Sequence, residues 1–457
     1  MPDNGVKHVN PFFPKNIPIV TATQAGFPDG GLIGFNKGNI RPRVGIAYTP
    51  SRNGKTVIRA GYGIYSNLIY ANVPVHMNGG PFSGSVTYEN AISSNGAPLF
   101  SFPDPFLTSG TTATQNVQGT NPYLKTPYSQ QWNFTVERQL GGVGLRASYV
   151  GTLSLDQLYR RNLNQPPPSL TPYSSSERPY QLYHNVIWLD NGGTESFNAL
   201  ETSATKTYGK NLTFNAGWTW AKDLTDVGDS TSIRGNQIQN AFDLRAERGN
   251  NIDTPTHRVF GYALYTLPIG RGQRFLGSAN RVAQAFLGGW NTSWNAVLQS
   301  GEFFTPAFDG FDPSNTGVFG GRPDRTGNGS LSRSAGQTIN NWFNANAFKI
   351  PGCPDAQPLC SDPANVGGFG NSGYDILRGP RLFNFDVALM KNFPLTERVQ
   401  LQFRVNAVNV LNHPNFYQPD PDISDVGTVG TLSGTTSANG LGEPTTREID
   451  LWLKVMF

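Results

Sequence analysis

The chain has 457 residues, of which 14% are charged, and 35 basic against 31 acidic side chains leave a formal net charge of +4. So small an excess of basic residues does not indicate the clustered basic surface of a nucleic-acid-binding protein. The 29 Phe, 17 Tyr and 8 Trp provide more apolar surface than a disordered chain carries. No run of purely apolar residues exceeds four, which excludes a transmembrane helix of about 20 residues but leaves a transmembrane β-barrel open.

Period-two alternation of apolar and polar residues dominates the chain and predicts an all-β fold. In Val399–Asn406, for example, Val399, Leu401 and Phe403 point one way and the intervening polar residues the other. We predict about eleven strands, at 43–49, 56–65, 131–137, 143–149, 195–206, 211–220, 257–267, 290–299, 383–390, 399–406 and 449–457. Several reach about ten residues, the length that crosses a bilayer with tilt.

Charges on the polar phase of these strands would face the interior of a barrel. They are Arg59, Arg146, Asp386 and Arg404. Such residues either contact a plug or a solute, or simply solvate the interior.

The connections between the strands alternate in length. Short links are expected at 50–55, 140–142, 208–210 and 392–396, with an intermediate one at 268–288 where a short one is due. Long excursions are expected at 67–127, 152–194, 222–256, 300–381 and 411–445. Short turns at one end and long loops at the other are typical of outer-membrane barrels, whose long loops lie outside the cell.

The alternation of short and long connections predicts which part of a barrel the chain forms. If 411–445 is an outer loop, the last strand descends to Phe457, and the strand at 43–49 also descends. Residues 1–42 would then begin outside the cell, whereas a complete barrel enters from the periplasm. An odd strand count points the same way, because single-chain bacterial barrels use even numbers. We therefore expect the C-terminal part of a larger barrel, without a signal peptide pattern at residues 1–7.

Aromatic residues fall on the apolar phase, several of them near predicted strand ends. Trp218, Trp220, Trp290, Trp294 and Tyr149 are the candidates for interfacial girdles, which anchor a barrel at the lipid headgroups. A packed β-sandwich core would explain the same phase.

No motif indicates catalysis, and we predict that the protein is not an enzyme. H-E-x-x-H, G-x-S-x-G, Walker and C-x-x-C motifs are all missing from the sequence. The acidic residues Asp309, Asp312 and Asp324 offer oxygen ligands without EF-hand spacing, so a solvated loop is the expectation and no cofactor or metal is predicted. Cys353 and Cys360 lie in a Pro-rich stretch, where a short-range disulfide and two free thiols both remain open.

The sequence resembles the β-barrel of TonB-dependent transporters of the Oar-like type. The matching segments include Pro42–Tyr48, Val57–Tyr65, Gly217–Lys222, Leu267–Gly270, Gly288–Trp290, Leu377–Pro380 and Asn406–Phe416, in the expected order. The ending, with Leu451, Leu453, Val455 and Phe457 alternating, resembles the signal by which barrel proteins are recognised for outer-membrane insertion.

The resemblance implies an antiparallel transmembrane β-barrel in the outer membrane, with 1–42 as an extracellular loop remnant and 43–457 as the C-terminal half of about 22 strands. A plug, a regulatory-like domain and a signal peptide would be absent. The whole receptor would take up a bulky solute, energised through TonB, and its partners would be outer-membrane lipid, the barrel-assembly machinery and the TonB system. The fragment alone would not transport. A passive outer-membrane adhesion barrel and a secreted glycan-binding β-protein are the alternatives.

Overall fold

The computed structural model describes residues 20, 23–24, 26, 38–67, 115–121, 123–208, 211–227, 238–352, 360–362, 367–436 and 445–457. Most of the predicted loop remnant 1–42 thus lies outside the described residues. Among the residues described, no helix is both long and apolar enough to span a membrane.

The described residues form eighteen β-strands and one short α-helix, α1 (Arg281–Leu287). The strands are β1 (Arg43–Tyr48), β2 (Thr56–Ser66), β3 (Gln115–Thr120), β4 (Tyr128–Leu140), β5 (Val143–Asn162), β6 (Tyr183–Tyr208), β7 (Leu212–Thr225), β8 (Gly249–Asn250), β9 (His257–Thr266), β10 (Trp290–Gln299), β11 (Phe303–Phe304), β12 (Asp324–Arg325), β13 (Phe348–Pro351), β14 (Cys360–Asp362), β15 (Leu377–Arg378), β16 (Leu382–Pro394), β17 (Gln400–Val408) and β18 (Glu448–Met456).

Eleven of these strands follow one another through a single main sheet in the order β1-β2-β4-β5-β6-β7-β9-β10-β16-β17-β18. Each neighbouring pair along this path is antiparallel. The all-β, antiparallel prediction and the count of about eleven strands are therefore confirmed. The path begins at β1 and ends at β18, which do not pair with each other, so within the described residues the sheet is open.

Antiparallel partners point to the same side of a sheet, and the register therefore separates two faces. One row runs from Ile46 through Ala60, Phe134 and Tyr149 to Leu200. Trp294, Val387, Ala407 and Ile449 form another row on that side. We call this side the apolar face, and the side that carries Arg59, Arg146, Asp386 and Arg404 the polar face.

The apolar face is exposed where a soluble domain would bury it. Ile46 is 66% and Leu451 70% exposed, and similar residues continue along the whole sheet. Contiguous apolar surface of this extent is not stable in water and marks contact with a partner or a lipid phase. The main sheet thus contributes little to a conventional core.

All short connections lie at one end of the sheet, the short-turn end, and all long ones at the opposite, long-loop end. Gly141 and Gly142 form the tightest link, and their φ angles of 52° and 83° fit the two-residue hairpin turn that favours glycine. The link between β9 and β10 is longer, contains α1 and lies at the short-turn end, as the alternation predicted. That alternation follows from the chain-order pairing of the strands.

One predicted connection is wrong in extent. The excursion expected at 152–194 is a loop only at 163–182, because β5 and β6 pair far beyond the predicted bounds of 143–149 and 195–206. Their register shifts between Ser154 and Leu158, and Asp156 adopts a φ of 54°. A bulge of this kind re-phases the side chains, which hides the outer half of both strands from a strict alternation test. β3 adds a parallel partner to the extension of β6.

Candidate functional site

The polar face near the short-turn end carries charges of alternating sign on neighbouring strands. The Nε of Arg59 lies 3.3 Å from a carboxylate oxygen of Glu137, and Glu137 stands opposite Arg146 in the register. The guanidinium of Arg146 in turn lies 3.9 Å from Glu201. These side chains are about half exposed. The four residues form a charge ladder across β2, β4, β5 and β6.

A depression of about 750 Å³ lies over this charge ladder. Its lining includes Glu137, Arg146, Glu201, Asn215 and Phe260. A surface of alternating charges and amides offers hydrogen bonds in both directions without a net field of one sign. It suits contact with a polar protein surface or a hydrated solute. The prediction that Arg59 and Arg146 share one face with Arg404 and Asp386 agrees with the register.

At the long-loop end the polar face continues into a network of acids and amides. The side-chain amide of Asn251 donates to Asp223 at 3.1 Å and to Glu195 at 3.3 Å. Thr254 donates to Asp223 at 2.9 Å, and Ser154 donates to Glu195 at 3.1 Å. The network therefore ties the mouth of the sheet at β5, β6 and β7 to the loop before β9.

Beyond this mouth, the extended hairpin of β5 and β6 is held by an ion pair. A guanidinium nitrogen of Arg161 lies 2.8 Å from a carboxylate oxygen of Asp190. The side chain of Asn121 donates to the other oxygen of Asp190 at 2.8 Å, which connects the segment after β3 to the hairpin. Asp190 therefore holds β5, β6 and the segment after β3 together.

The long loops are packed into one body, which we call the cap: 163–182, 238–256, 300–352, 367–381 and 409–436. Its apolar core is formed by residues from three of these segments, 300–352, 367–381 and 409–436. They are Phe304, Phe308, Phe343, Ala347, Phe348, Ile350, Leu377 and Ile423. The rings of Phe304 and Phe343 meet edge to face at 5.4 Å, and those of Phe343 and Phe348 at 6.1 Å. The main apolar core of the described residues therefore lies in the cap and not in the sheet.

Backbone hydrogen bonds join the loops that supply this core. The N–H of Ala307 donates to Pro421, and the N–H of Ile423 donates back to Ala307 at 2.8 Å. Trp342 N–H donates to Gly430 at 2.8 Å. Loop 300–352 and loop 409–436 therefore share strand-like contacts although β16 and β17 separate them in sequence.

A buried ion pair links loop 300–352 to the loop before β9. The guanidinium of Arg322 donates in bidentate fashion to Glu247, at 2.9 and 3.1 Å, and both residues are 5% exposed. Its Nε donates to the carbonyl of Ser372 at 3.1 Å, and the ring of Tyr374 lies 4.8 Å from its central carbon. A buried charge is stable when paired and hydrogen-bonded in this way. We call this pair the cap clasp.

The remaining loop, 163–182, is fastened by amide side chains. The Gln165 amide donates to the carbonyl of Gln239 at 2.9 Å and accepts from the N–H of Ala241 at 2.6 Å. The side chain of Asn315 donates to the carbonyl of Ser169 at 2.8 Å. The cap thus unites four of the long connections of the sheet.

The structure places the five candidate interfacial aromatics on the apolar face. Trp218 and Trp220 stack on either side of His257 near the long-loop end, at ring distances of 5.9 and 6.4 Å. Trp290 begins β10 at the short-turn end, and Trp294 follows on the same face two rows further in. Tyr149 shares a row with Leu200 and Trp220. The tryptophans thus gather toward both ends of the apolar face.

The other candidates from the sequence are placed as follows. Leu451, Leu453 and Val455 lie on the apolar face of the edge strand β18, and Phe457 follows it. The proposed disulfide cannot be described, because Cys353 and the side chain of Cys360 lie outside the described residues. In the described part of the chain, no group of three or more His, Cys, Asp and Glu side chains could hold a metal ion.

Sequence reasoning missed the cap clasp and the acid and amide network at the mouth. Glu247 and Arg322 are 75 residues apart and stand in loops without a repeating pattern. Asp223 lies beyond the predicted strand 211–220, near the end of β7, and its sequence position carries no distinguishing signal. Only contacts between different loops give these residues their roles.

The family described as "Outer membrane beta barrel domain" matches residues 2–450 of this chain. No curated protein sequence matches this chain significantly.

Several solved structures are similar to this chain. The outer membrane transporter YddB from Escherichia coli is 11% identical, with a TM-score of 0.43, over 88% of this chain and 38% of that one. The FrpB iron transporter from Neisseria meningitidis is 12% identical, with a TM-score of 0.40, over 91% and 39%. The siderophore receptor PiuA from Acinetobacter baumannii is 9% identical, with a TM-score of 0.39, over 91% and 35%. The chain thus spans less than two fifths of the length of each of these proteins.

Proposed function

The chain belongs to the family of outer-membrane β-barrel domains, and from this premise we propose that it is part of the wall of a TonB-dependent receptor of the Oar-like type. The protein is one of the cell outer membrane. In this proposal residues 43–457 are the C-terminal half of the barrel and 1–42 are the end of an extracellular loop.

The observation that carries this proposal is the pair of open edges. Among the strands that the structure describes, β1 pairs only with β2 and β18 only with β17, so each has a second row of backbone groups without a described partner strand. Lipid cannot satisfy unpaired backbone groups, and only closed barrels cross a membrane as β-sheets. Eleven strands are half of the 22 in large transporters with a plugged lumen. Further strands would therefore close the wall between β18 and β1.

The two faces support the orientation of this wall. The apolar face would contact lipid, with Trp218 and Trp220 in the outer interfacial girdle and Trp290 in the inner one. Tyr149, which shares a row with Trp220, would join the outer girdle, and Trp294, on the same strand as Trp290, would join the inner one. The polar face would line the lumen, and its charge ladder would contact a plug domain.

The cap supports a role in recognising a solute outside the cell. Four long loops are packed around an apolar core and a buried ion pair, which holds their surfaces in fixed positions. Preorganised surfaces bind with less loss of conformational entropy than free loops. A bulky solute would bind at the cap and the mouth below it, and the TonB system would act on the plug to admit it. The barrel-assembly machinery would insert the chain through the ending at Leu451, Leu453, Val455 and Phe457.

Two experiments test this proposal. Genomic DNA upstream of the codon for Met1 should continue in frame and encode further strands, a plug, a regulatory-like domain and a signal peptide. An in-frame stop directly before Met1 would contradict the proposal and would require closure by another copy. Cells that produce the longer protein should accumulate the solute only when TonB is present, and residues 1–457 alone should not restore uptake.

A passive adhesion barrel is the second candidate, because the packed cap could equally serve as a fixed binding surface. It predicts surface binding that does not depend on TonB and no accumulation inside the cell. The comparison of cells with and without TonB separates the two functions.

A further inference from the structure

The link between β9 and β10 exposes apolar side chains at the short-turn end, although polar turn residues would serve as a connection. They are Phe275, Leu276, Val282, Phe286 and Leu287, exposed between 48% and 71%. Val282 and Phe286 are four residues apart in α1 and therefore lie on the same side of the helix. The link thus presents a small apolar surface of its own, formed by a loop and a helix.

This surface is fixed to the apolar face of the main sheet. The indole N–H of Trp290 donates to the carbonyl of Phe286 at 2.8 Å. The ammonium of Lys391, which is 3% exposed, donates to the carbonyl of Gly288 at 2.6 Å. Trp290 and Lys391 are register partners on the apolar face. The end of α1 therefore adjoins the side of the sheet that contacts lipid, and not the polar interior.

The loop before α1 is held in place by one side chain of the helix. The amide of Gln284 accepts from the N–H of Arg271 at 2.7 Å and donates to the carbonyl of Leu276 at 2.7 Å. The side chain of Asn280 caps the helix by accepting from the N–H of Ala283 at 2.8 Å. Phe275 and Leu276 are thus kept beside α1, and the apolar surface is built in advance.

The same link carries positive charge without compensation. Arg271, Arg274 and Arg281 are its ionisable residues, and residues 267–289 contain no Asp or Glu. The structure shows all three arginines exposed. Guanidinium groups bind phosphate in bidentate fashion and are enriched where phosphate is recognised. A short helix with aromatic and aliphatic residues beside arginines has the composition of elements that lie in a membrane interface.

We propose that the link 267–289 is a docking surface for anionic phospholipid headgroups at the short-turn end of the barrel. Phe275, Val282 and Phe286 insert among the upper acyl carbons, and the three arginines bind phosphate. Lipid is the occupant that fits, because the surface continues the apolar face and its charge is opposite to that of an anionic lipid. The inference rests on the outer-membrane location and the proposed lipid contact of the apolar face, and it is independent of TonB and of the solute.

The depth of the link can be measured directly. The protein in isolated outer membranes, with Cys353→Ser and Cys360→Ser, is labelled with an environment-sensitive dye at Phe286→Cys. Leu298→Cys on the apolar face and Phe319→Cys in the cap, where the native side chain is 67% exposed, are the controls. We expect blue-shifted emission and quenching by nitroxide lipids at positions 286 and 298, but not at 319.

The outcomes separate this inference from the barrel itself. Water-like emission at position 286 with a lipid-quenched label at 298 would overturn the inference and leave the proposed wall intact. Water-like emission at both positions would contradict lipid contact of the apolar face altogether.

The role of the three arginines is tested with the labelled Phe286→Cys protein in vesicles. One set of vesicles contains phosphatidylcholine alone, and the other contains phosphatidylcholine mixed with phosphatidylglycerol. Quenching at position 286 should increase with phosphatidylglycerol, and the combination of Arg271→Gln, Arg274→Gln and Arg281→Gln should remove this increase. Arg325→Gln with Arg333→Gln, two exposed cap arginines, should leave it unchanged. Equal quenching in both lipids with the native arginines would overturn the assignment to anionic headgroups.

Discussion

The main sheet and the cap belong to the same chain, but they place their apolar side chains in opposite ways. The sheet turns its apolar side chains outward, with Leu453 69% exposed, and needs lipid to cover them. The cap buries its apolar side chains, and Phe348 and Ile423 are 0% exposed. The cap is therefore stabilised by water in the way of a soluble domain, whereas the sheet is stabilised by the membrane.

The polar interactions of the two regions differ in the same sense. The ion pairs of the charge ladder are about half exposed, and those between Arg59 and Glu137 or Arg146 and Glu201 are screened by water. The cap clasp is almost fully buried and bidentate. A charged pair therefore helps to organise the structure of the cap, whereas the pairs on the polar face of the sheet add little to stability.

Truncation of the cap core should have the largest effect. Phe348→Ala leaves a cavity at a fully buried position and should destabilise the cap by about 3–5 kcal/mol. Hydrogen exchange of loops 300–352 and 409–436 measures the loss, and the exposed Phe319→Ala serves as the control. If both variants behave alike, the cap is not packed as a soluble core.

Breaking the cap clasp should have a similar effect by a different mechanism. Arg322→Ala leaves Glu247 buried without its partner and should cost about 3–5 kcal/mol in local stability. The double variant Arg322→Met with Glu247→Leu should recover most of it, since no charge then remains buried. Hydrogen exchange of 238–256 reports the change.

The matched control for the clasp is Arg146→Ala. Because its partner Glu201 is partly exposed, the expected cost is about 0–1 kcal/mol. An equal loss for Arg146→Ala and Arg322→Ala would contradict the distinction between the two regions.

A charge on the apolar face tests which solvent the sheet faces. Ala296→Arg places a guanidinium in the middle of β10 on that side and should cost about 2–4 kcal/mol in a bilayer. Asn295→Arg, the next residue, points to the polar face and should cost much less. The two variants of the longer protein are compared by refolding into lipid vesicles across a denaturant series. A greater loss for Asn295→Arg than for Ala296→Arg would contradict the assignment of the two faces.

The smallest expected effect is a pH dependence of the local stability at the outermost end of β6. Partial burial, followed by the charge of Arg178, lowers the pKa of His184 below its usual 6.5. The ring nitrogen Nδ1 lies 2.9 Å from a guanidinium nitrogen of Arg178, which requires the neutral imidazole as acceptor. Because the pKa is lower in the folded state, this stabilisation is present above about pH 6.5 and is lost as the pH falls through the folded pKa.

Local hydrogen exchange of residues 163–184 should therefore accelerate on acidification. His184→Gln, which cannot titrate, should remove that dependence. Exchange that is equally pH-dependent in both proteins would assign the effect to other groups.

The strand pattern of the sheet could be predicted because each strand carries its own signal. The segment 399–406 alternates without interruption, and antiparallel pairing in chain order then follows from the short turns. The prediction failed where one residue breaks the period: the bulge at Asp156 concealed the outer halves of β5 and β6. The placement of α1 against Trp290 and Lys391 also had no local signature.

The sequence by itself therefore determined the strands, the two faces of the sheet and the end at which each connection lies, because alternation is a local property of consecutive residues. Only the tertiary structure decided that four long loops form one cap. Glu247 and Arg322, or Ala307 and Ile423, meet across many residues and without a periodic pattern. Their contacts arise from the complementary shapes and hydrogen bonds of irregular segments, which become definite only when the loops are packed together.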